Sequence, residues 1–470
     1  MKAEAIVYVK PEMISQIEQD LSLSQLAEAA MLPGVISPLI GMPDIHQGFG
    51  LPIGGVMATE GLISAGAVGM DINCGVRLIA TNLEYKAKLF SPEALRTLLH
   101  IIERTIPVGL GQERKTLPPK VTLKGVITGG AEFLVQQGYG SRADLESIEE
   151  KGKMSEARYE ALTPRALKRS ERQIGTLGSG NHFIEVQRIE EVLDASTSSA
   201  WGLKPNQICL MIHCGSRALG HQTCVDYTNI FWKAKDKYHL EIPRKGLAAV
   251  PIDSPEGKDY FGAMAGAVNF AFANRHLIMC ELERVMIDFF RAKGIKIEFR
   301  LIYDIAHNIA KWEEHTLRTK NKEPSSAKAS EGRQRTKVLI HRKGAIRALP
   351  ANHPQNPPKY MATGHPAIVP GSMGTASYVL LGLPKAQETW FSVNHGSGRA
   401  MSRREAKKTI SEAEFKKTMG EVVYNLPFEK IADEAPSAYK NIEDVVDTLV
   451  ETGITKKVIK LKPLAVVKGD

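Results

Sequence analysis

The run Gly69-Met70-Asp71-Ile72-Asn73-Cys74-Gly75-Val76-Arg77 sets a carboxylate and a thiol three residues apart among glycines. Few folds can accommodate it. A carboxylate is costly to bury without a partner, and a thiol beside it is reactive once ionised. Two arrangements satisfy both groups. In one the run is a turn, Cys74 is a small buried hydrophobe and Asp71 caps a local N–H. In the other, carboxylate and thiolate converge on a divalent ion, and glycine lets the backbone come close to it. The second arrangement needs ligands from elsewhere in the chain.

Upstream, eight glycines fall between residues 41 and 69, around Met42-Pro43-Asp44-Ile45-His46-Gln47-Gly48-Phe49-Gly50. That density predicts turns, bulges and close backbone approaches rather than long helices. The Gly-x-Gly there lacks dinucleotide-binding spacing. Apolar patterning predicts strands at 3–9, 183–186, 208–212, 295–303, 338–341, 378–381 and 458–467. Helices are expected from Glu12 to Leu32 with a restart at Ser24, from Ser91-Pro92 to Arg104, and over 260–293. A basic helix follows Arg399, and Ser411 with Glu414 caps another. Residues 140–172 read as a charged, solvated helical stretch. Residues 319–336 are polar and predict a mobile surface insertion. No internal repeat or clear linker breaks the chain, and the site segments run from residue 44 to 395. The expectation is an α+β fold, one large domain over 1–470, with mixed and antiparallel sheets around a central metal cleft.

No apolar run approaches the ~18 residues of a membrane span, and the N-terminus lacks the apolar core of a signal peptide. Five cysteines in 470 residues, an odd number, point to a reducing compartment, the cytoplasm. The net charge of +9 suits a polyanionic partner such as RNA, DNA or nucleotide phosphate.

Asp71 and Cys74 have candidate counterparts in His182, His213 and His307, which stand at strand ends or in a glycine loop. Mixed N, O and S donors suit Zn²⁺ or Mn²⁺, and a bridging thiolate can hold two ions. Cys209 and Cys214 come nearest to a zinc-module pair, but Cys209 lies within an apolar strand. The loops 370–377 and 395–398 offer backbone N–H groups and hydroxyls to phosphate, and no Walker A loop is present. Within the second loop, His395 is either a turn histidine or a nucleophile for a phosphoryl group, with Arg399 on the developing charge. Lys343, in His341-Arg342-Lys343-Gly344, is the competing nucleophile. A metallophosphatase or nuclease would use the same cage without His395. A non-catalytic RNA-binding protein would need neither.

Taken together, the motifs resemble the RtcB family of GTP-dependent RNA ligases. D-I-N-C-G-V-R, G-S-G-N-H-F, H-x-G-S-R, H-N-I-A, P-G-S-M-G-T-A-S, N-H-G-S-G-R, A-Y-K and V-V-K-G occur in that order over nearly the whole chain. The resemblance implies joining of RNA 3′-phosphate or 2′,3′-cyclic phosphate ends to 5′-hydroxyl ends, with GTP and two Mn²⁺ ions, in tRNA splicing or RNA repair. It implies that Asp71, Cys74 and His182 hold one ion and that Cys74, His213 and His307 hold the other. His395 would take GMP covalently, with Asp44 and Arg217 near the RNA ends. Asn181, Glu185, Asn308, Pro370, Gly371, Ser372, Met373, Ser377, Gly396, Ser397, Gly398, Arg399, Tyr439 and Lys468 would surround the nucleotide. The expected partners are RNA, tRNA halves among them, and GTP. The protein is expected to be a monomer, and an activating protein partner is left open. This chain has Cys214 where members usually have Ser, His365 where they have Gln, and a longer 319–336 segment.

Overall fold

The computed structural model describes residues 2–318 and 333–470. Ile208-Cys209-Leu210-Met211-Ile212 is apolar on both faces, so its strand needs cover on both sides. That strand, Gln207–Cys214, lies inside an eight-stranded sheet. The order is Ala367–Val369, Ser377–Gly382, Thr455–Lys468, Phe183–Val192, Gln207–Cys214, Gly75–Glu84 and Phe299–Ala306, with Val423–Tyr424 parallel to Thr455–Lys468. Ile208, Leu210, Ile212 and Cys214 face one core, while Cys209 and Met211 face another. The two cysteines therefore point to opposite sides and cannot pair on an ion.

The long helix Pro255–Arg291 covers the first face. Ser254 Oγ accepts from Gly257 N at 3.1 Å and Pro255 opens the first turn, so the helix begins before the expected Tyr260. Its buried Phe270, Phe272 and Phe290 each contribute about 1.5–3 kcal/mol. A second sheet has the order Ala5–Val7, Val35–His46, Ile53–Thr59, Arg333–Lys343 and Asn308–Arg318. It is mixed, because Ala5–Val7 runs parallel to its neighbour. Asn308–Arg318 starts one residue after Phe299–Ala306 ends, so His307 is the joint between the sheets. A short pair, Ala345–Arg347 with Ser392–Asn394, brings His395 to the same joint. The α+β expectation holds, with the candidate site between the sheets.

Several local expectations need correction. The glycine-dense stretch has its bulges and close approaches: a Cβ at Gly66 would stand 1.7 Å from Gly246 O. It also builds the strands Val35–His46, Ile53–Thr59 and Gly75–Glu84. Within 140–172 only Arg142–Leu145 and Pro164–Ser170 are α-helical. There Glu149 is buried rather than solvated, because Lys311 Nζ reaches it at 2.5 Å. Helix Arg217–Ala234 was not expected from the sequence. The first helix restarts at Ser22 rather than Ser24. The expected insertion lies outside the described residues over 319–332, and 333–336 belong to strand Arg333–Lys343. Among the described residues, no helix is long and apolar enough to cross a membrane.

One buried ionic junction ties the helix to the cleft. Asp304 accepts from Arg275 Nη2 at 2.7 Å and from Arg77 Nε at 2.7 Å, with all three side chains fully buried. Arg275 also donates to Asn73 O at 2.8 Å and Cys214 O at 2.7 Å, joining the Asp71–Cys74 turn to the strand that carries His213. Removing one partner leaves buried charge uncompensated. Asp304→Ala should therefore cost about 3–5 kcal/mol in denaturant unfolding; a loss below about 1 kcal/mol would show the junction to be dispensable.

Candidate metal and nucleotide site

Four neighbouring antiparallel strands deliver their ligands at one edge of the large sheet. Phe183 pairs with His213, and Gly75 pairs with both Cys214 and Ala306. His182, His213, Cys74 and His307 thus arrive together from widely separated parts of the sequence. Cys74 Sγ stands 3.4 Å from His182 Nε2 and 3.2 Å from His213 Nε2. His213 Nε2 and His307 Nε2 are 3.3 Å apart, and Asp71 Oδ2 is 2.8 Å from His182 Nε2. Asp71, Cys74 and His182 form one triad of converging donor atoms, and Cys74, His213 and His307 form another. The sulfur is common to both.

The donor chemistry fits a divalent ion. His182 Nδ1 lies 2.9 Å from Leu177 O, which assigns a proton to Nδ1. Burial opposes charge on the ring, but Cys214, Cys74 and Asp71 outweigh it and raise His182 well above the usual imidazole range, so its Nε2–H faces Asp71 until a bound ion draws that proton off. Burial pushes His213 and His307 well below the usual imidazole range, so both rings are neutral ligands. Burial, reinforced by Asp71, pushes the Cys74 thiol up to about 12; bound metal would draw that proton off. Burial opposes ionisation of Asp71, but the His182 contact outweighs it and holds the carboxyl at about 2. Asp71 also accepts from Ser216 N at 3.0 Å, a partner 145 residues away rather than the local N–H of the turn reading.

Beside the cage, His395 Nδ1 is 2.6 Å from Asp44 Oδ2, which also accepts from His395 N at 3.1 Å. Asp44 is fully buried, and Lys440 Nζ fixes the backbone around it by donating to Pro43 O at 3.2 Å and Ile45 O at 2.6 Å. The His395 and His307 rings lie edge to face, 4.8 Å between centroids. His395 borders a cavity of about 260 Å³, walled also by Asn181, Pro370, Gly371, Ser372, Met373, Gly396, Ser397, Gly398, Arg399, Tyr439 and Lys468. Ser397 Oγ, in that wall, is buried with no hydrogen-bond partner among the described residues.

A family model described as tRNA-splicing ligase RtcB matches residues 25–469. The chain belongs to the RtcB family. It is 41% identical to a tRNA-splicing ligase RtcB of Thermococcus kodakarensis, covering all of this chain and 95% of that protein. It is 40% identical to an RNA-splicing ligase RtcB of Mycobacterium tuberculosis, covering 95% of this chain and all of that protein. An RNA-splicing ligase RtcB homolog 1 of Entamoeba dispar is 39% identical over 97% of this chain and 84% of its own length.

Of the residues that the RtcB resemblance places around the nucleotide, Glu185, Asn308 and Ser377 stand outside the cavity wall, as do Asp44 and Arg217, which it places near the RNA ends. Asn308 braces the cage instead: its Nδ2 donates to Asp71 O at 2.9 Å and its Oδ1 accepts from Gly344 N at 2.8 Å. Ser377 Oγ accepts from Gly371 N at 3.2 Å, and Thr375 Oγ1 accepts from Ser372 N at 2.8 Å. Those two loop N–H groups are therefore engaged within the loop. Glu185 accepts from Gln187 Nε2 at 2.6 Å, and burial pushes its carboxyl up to about 8. Arg217 lies against the glycine loop, its Nε 3.3 Å from Thr176 Oγ1. Cys214 donates to Leu177 O at 3.0 Å behind His182, and His365 stacks on Tyr303.

The sequence did not reveal Glu434. Its buried carboxylate takes Lys468 Nζ at 3.3 Å, Arg399 Nη1 at 3.4 Å, Arg403 Nη1 at 3.1 Å and the Tyr439 hydroxyl. Its local signal is an acidic pair, Asp433-Glu434, which makes up most of the three-residue turn Ala432–Glu434. Lys343 is brought by burial to about 8, so basicity alone does not disqualify it as a nucleophile. Position does: its Nζ donates to Phe49 O and Gly66 O, away from the cavity.

Because both triads share one sulfur, Cys74→Ala should lose both ions, whereas His307→Ala should retain the ion held by Asp71 and His182. Metal analysis of the purified variants checks this. Two ions retained by the cysteine variant would rule out a bridging thiolate.

Proposed function

We propose that the protein joins RNA 3′-phosphate or 2′,3′-cyclic phosphate ends to 5′-hydroxyl ends through a covalent histidine–GMP intermediate. The observation that carries this reading is the His395–Asp44 pair. Asp44 engages Nδ1 at 2.6 Å and leaves Nε2 available at the cavity wall, as an in-line nucleophile requires. Two ions, Mn²⁺ by the chemistry of the family, would be held by Asp71, Cys74, His182, His213 and His307 and would supply positive charge to phosphate oxygens.

His395 Nε2 attacks the α-phosphorus of GTP; the new N–P bond forms as the bond to pyrophosphate breaks. Asp44 keeps the ring oriented and balances its positive charge. Ser397 and the 395–398 loop face the phosphates, while Tyr439 and Lys468 face the base end. The guanylyl group then passes from His395 to the RNA 3′-phosphate, and the 5′-hydroxyl displaces GMP. A cyclic phosphate is opened by water beforehand. The same reading puts the activity in tRNA splicing or RNA repair in the cytoplasm, carried by one domain over 1–470.

Incubated with Mn²⁺ and α-labelled GTP, the protein should acquire a label stable in alkali and lost in acid. His395→Ala should abolish labelling yet still bind metal, and Lys343→Ala should keep the label. A labelled His395→Ala protein would refute the mechanism.

Lys468, already paired with Glu434, has an ammonium that can donate to the guanine O6/N7 edge. Lys468→Met should raise the KM for GTP about tenfold with metal content unchanged, and an unaltered KM would remove Lys468 from guanine recognition.

A further inference from the structure

Strands Phe183–Val192 and Thr455–Lys468 pair antiparallel, and their ends at Phe183 and Lys468 wall the nucleotide cavity. Further along the same two strands, Arg188 and Lys462 stand directly opposite each other. Like charges in that position destabilise a sheet unless an anion sits with them. The protein supplies little compensation. Lys462 pairs with no carboxylate among the described residues, and Arg188 has only Glu190 at 4.0 Å. Arg188 Nε is buried without a hydrogen-bond partner among the described residues, and its guanidinium lies over the Tyr85 ring at 4.8 Å.

Both side chains line a groove of about 730 Å³ that also takes in Arg96 and Tyr424. The groove's buried Phe90, Leu95 and Val422 are apolar, while Arg96 and Lys462 are exposed. Glu421 is the one carboxylate along the lining, against three cations. Counted by strand rise, the groove stands roughly 16 to 20 Å from the nucleotide cavity. Cations over an apolar, aromatic surface suit one unit of a nucleic-acid chain: phosphate on the charges, base on the rings.

We propose that this groove is a second RNA subsite, in which a chain phosphate sits between Arg188 and Lys462 and its base lies against the apolar surface beside Tyr424. It would hold the body of the RNA while the ends lie at the cage, and it rests on the reading of RNA as substrate. The groove compensates a repulsive cross-strand pair only when the chain phosphate is present.

The test compares wild type with Arg188→Ala/Lys462→Ala, with Arg188→Lys as a charge-keeping control. Binding is read on RNA with 3′-hydroxyl and 5′-phosphate ends, which the proposed reaction cannot join. A failure of the ligation chemistry would therefore leave this measurement intact. For a long single strand the double variant should bind about tenfold more weakly. The slope of log affinity against log salt should fall by about 0.7, for the one phosphate that the two cations hold. An oligonucleotide too short to bridge the roughly 16 to 20 Å should bind both proteins equally, and guanylylation of His395 should be unchanged. Arg188→Lys should retain RNA affinity. Unchanged long-RNA affinity and salt slope in the double variant would overturn the proposal. So would displacement of the long RNA from wild type by an equal concentration of AMP, which would assign the groove to a free nucleotide.

Discussion

The structure depends on keeping donor atoms from distant strands converged. His213 Nε2, His307 Nε2 and Cys74 Sγ lie within hydrogen-bonding distance of one another, as two neutral rings and a protonated thiol. A bound cation would take the thiol proton's place, so something other than the ion must keep the cage closed. Arg275 does this by binding the Asp71–Cys74 turn through Asn73 O and the His213 strand through Cys214 O, while Asp304 neutralises it. Asn274, on the same helix, extends the clamp by accepting from Gly175 N at 2.6 Å and donating to Gly215 O at 3.2 Å. The long helix is therefore as much a part of the site as the strands that carry the ligands.

The cavity wall is organised by a carboxylate in the same way. Glu434 gathers Lys468, Arg399, Arg403 and Tyr439, and their charges hold its carboxyl below the usual range although burial alone would raise it. Three cations packed side by side would repel each other and splay. With Glu434 among them they form one fixed surface, and an incoming phosphate or base meets donors that are already oriented. The family assignment names the ends of this network; the carboxylate at its centre is seen only in the folded chain.

Residues with an intrinsic reason to be where they are were legible in the sequence. The cage ligands stand beside apolar runs or glycines, and the caps Ser91 and Ser411 precede their helices by plain local chemistry. What escaped was set by distant partners. Asp44 and His395 are 351 residues apart, and nothing local marks them as a pair. Glu149 lies in a charged stretch that reads as solvated, and only Lys311 and Arg347 make its burial affordable. Helix Arg217–Ala234 buries Gln222, Thr223 and Thr228 along with its apolar residues, so it shows little contrast between faces.

The strand Thr455–Lys468 lies between Ser377–Gly382 and Phe183–Val192, in the middle of the large sheet. During synthesis the sheet must wait in two parts, one ending in an open Phe183–Val192 edge and the other in an open Ser377–Gly382 edge. Pairings this far apart in sequence form slowly, and open edges invite wrong partners. A nascent chain that stops short of residue 455 carries all five candidate ligands and His395, yet has no Lys468 and no closed wall to the cavity. The candidate metal ligands thus emerge from the ribosome long before the fold that gathers them, and the order of assembly completes the cavity wall last.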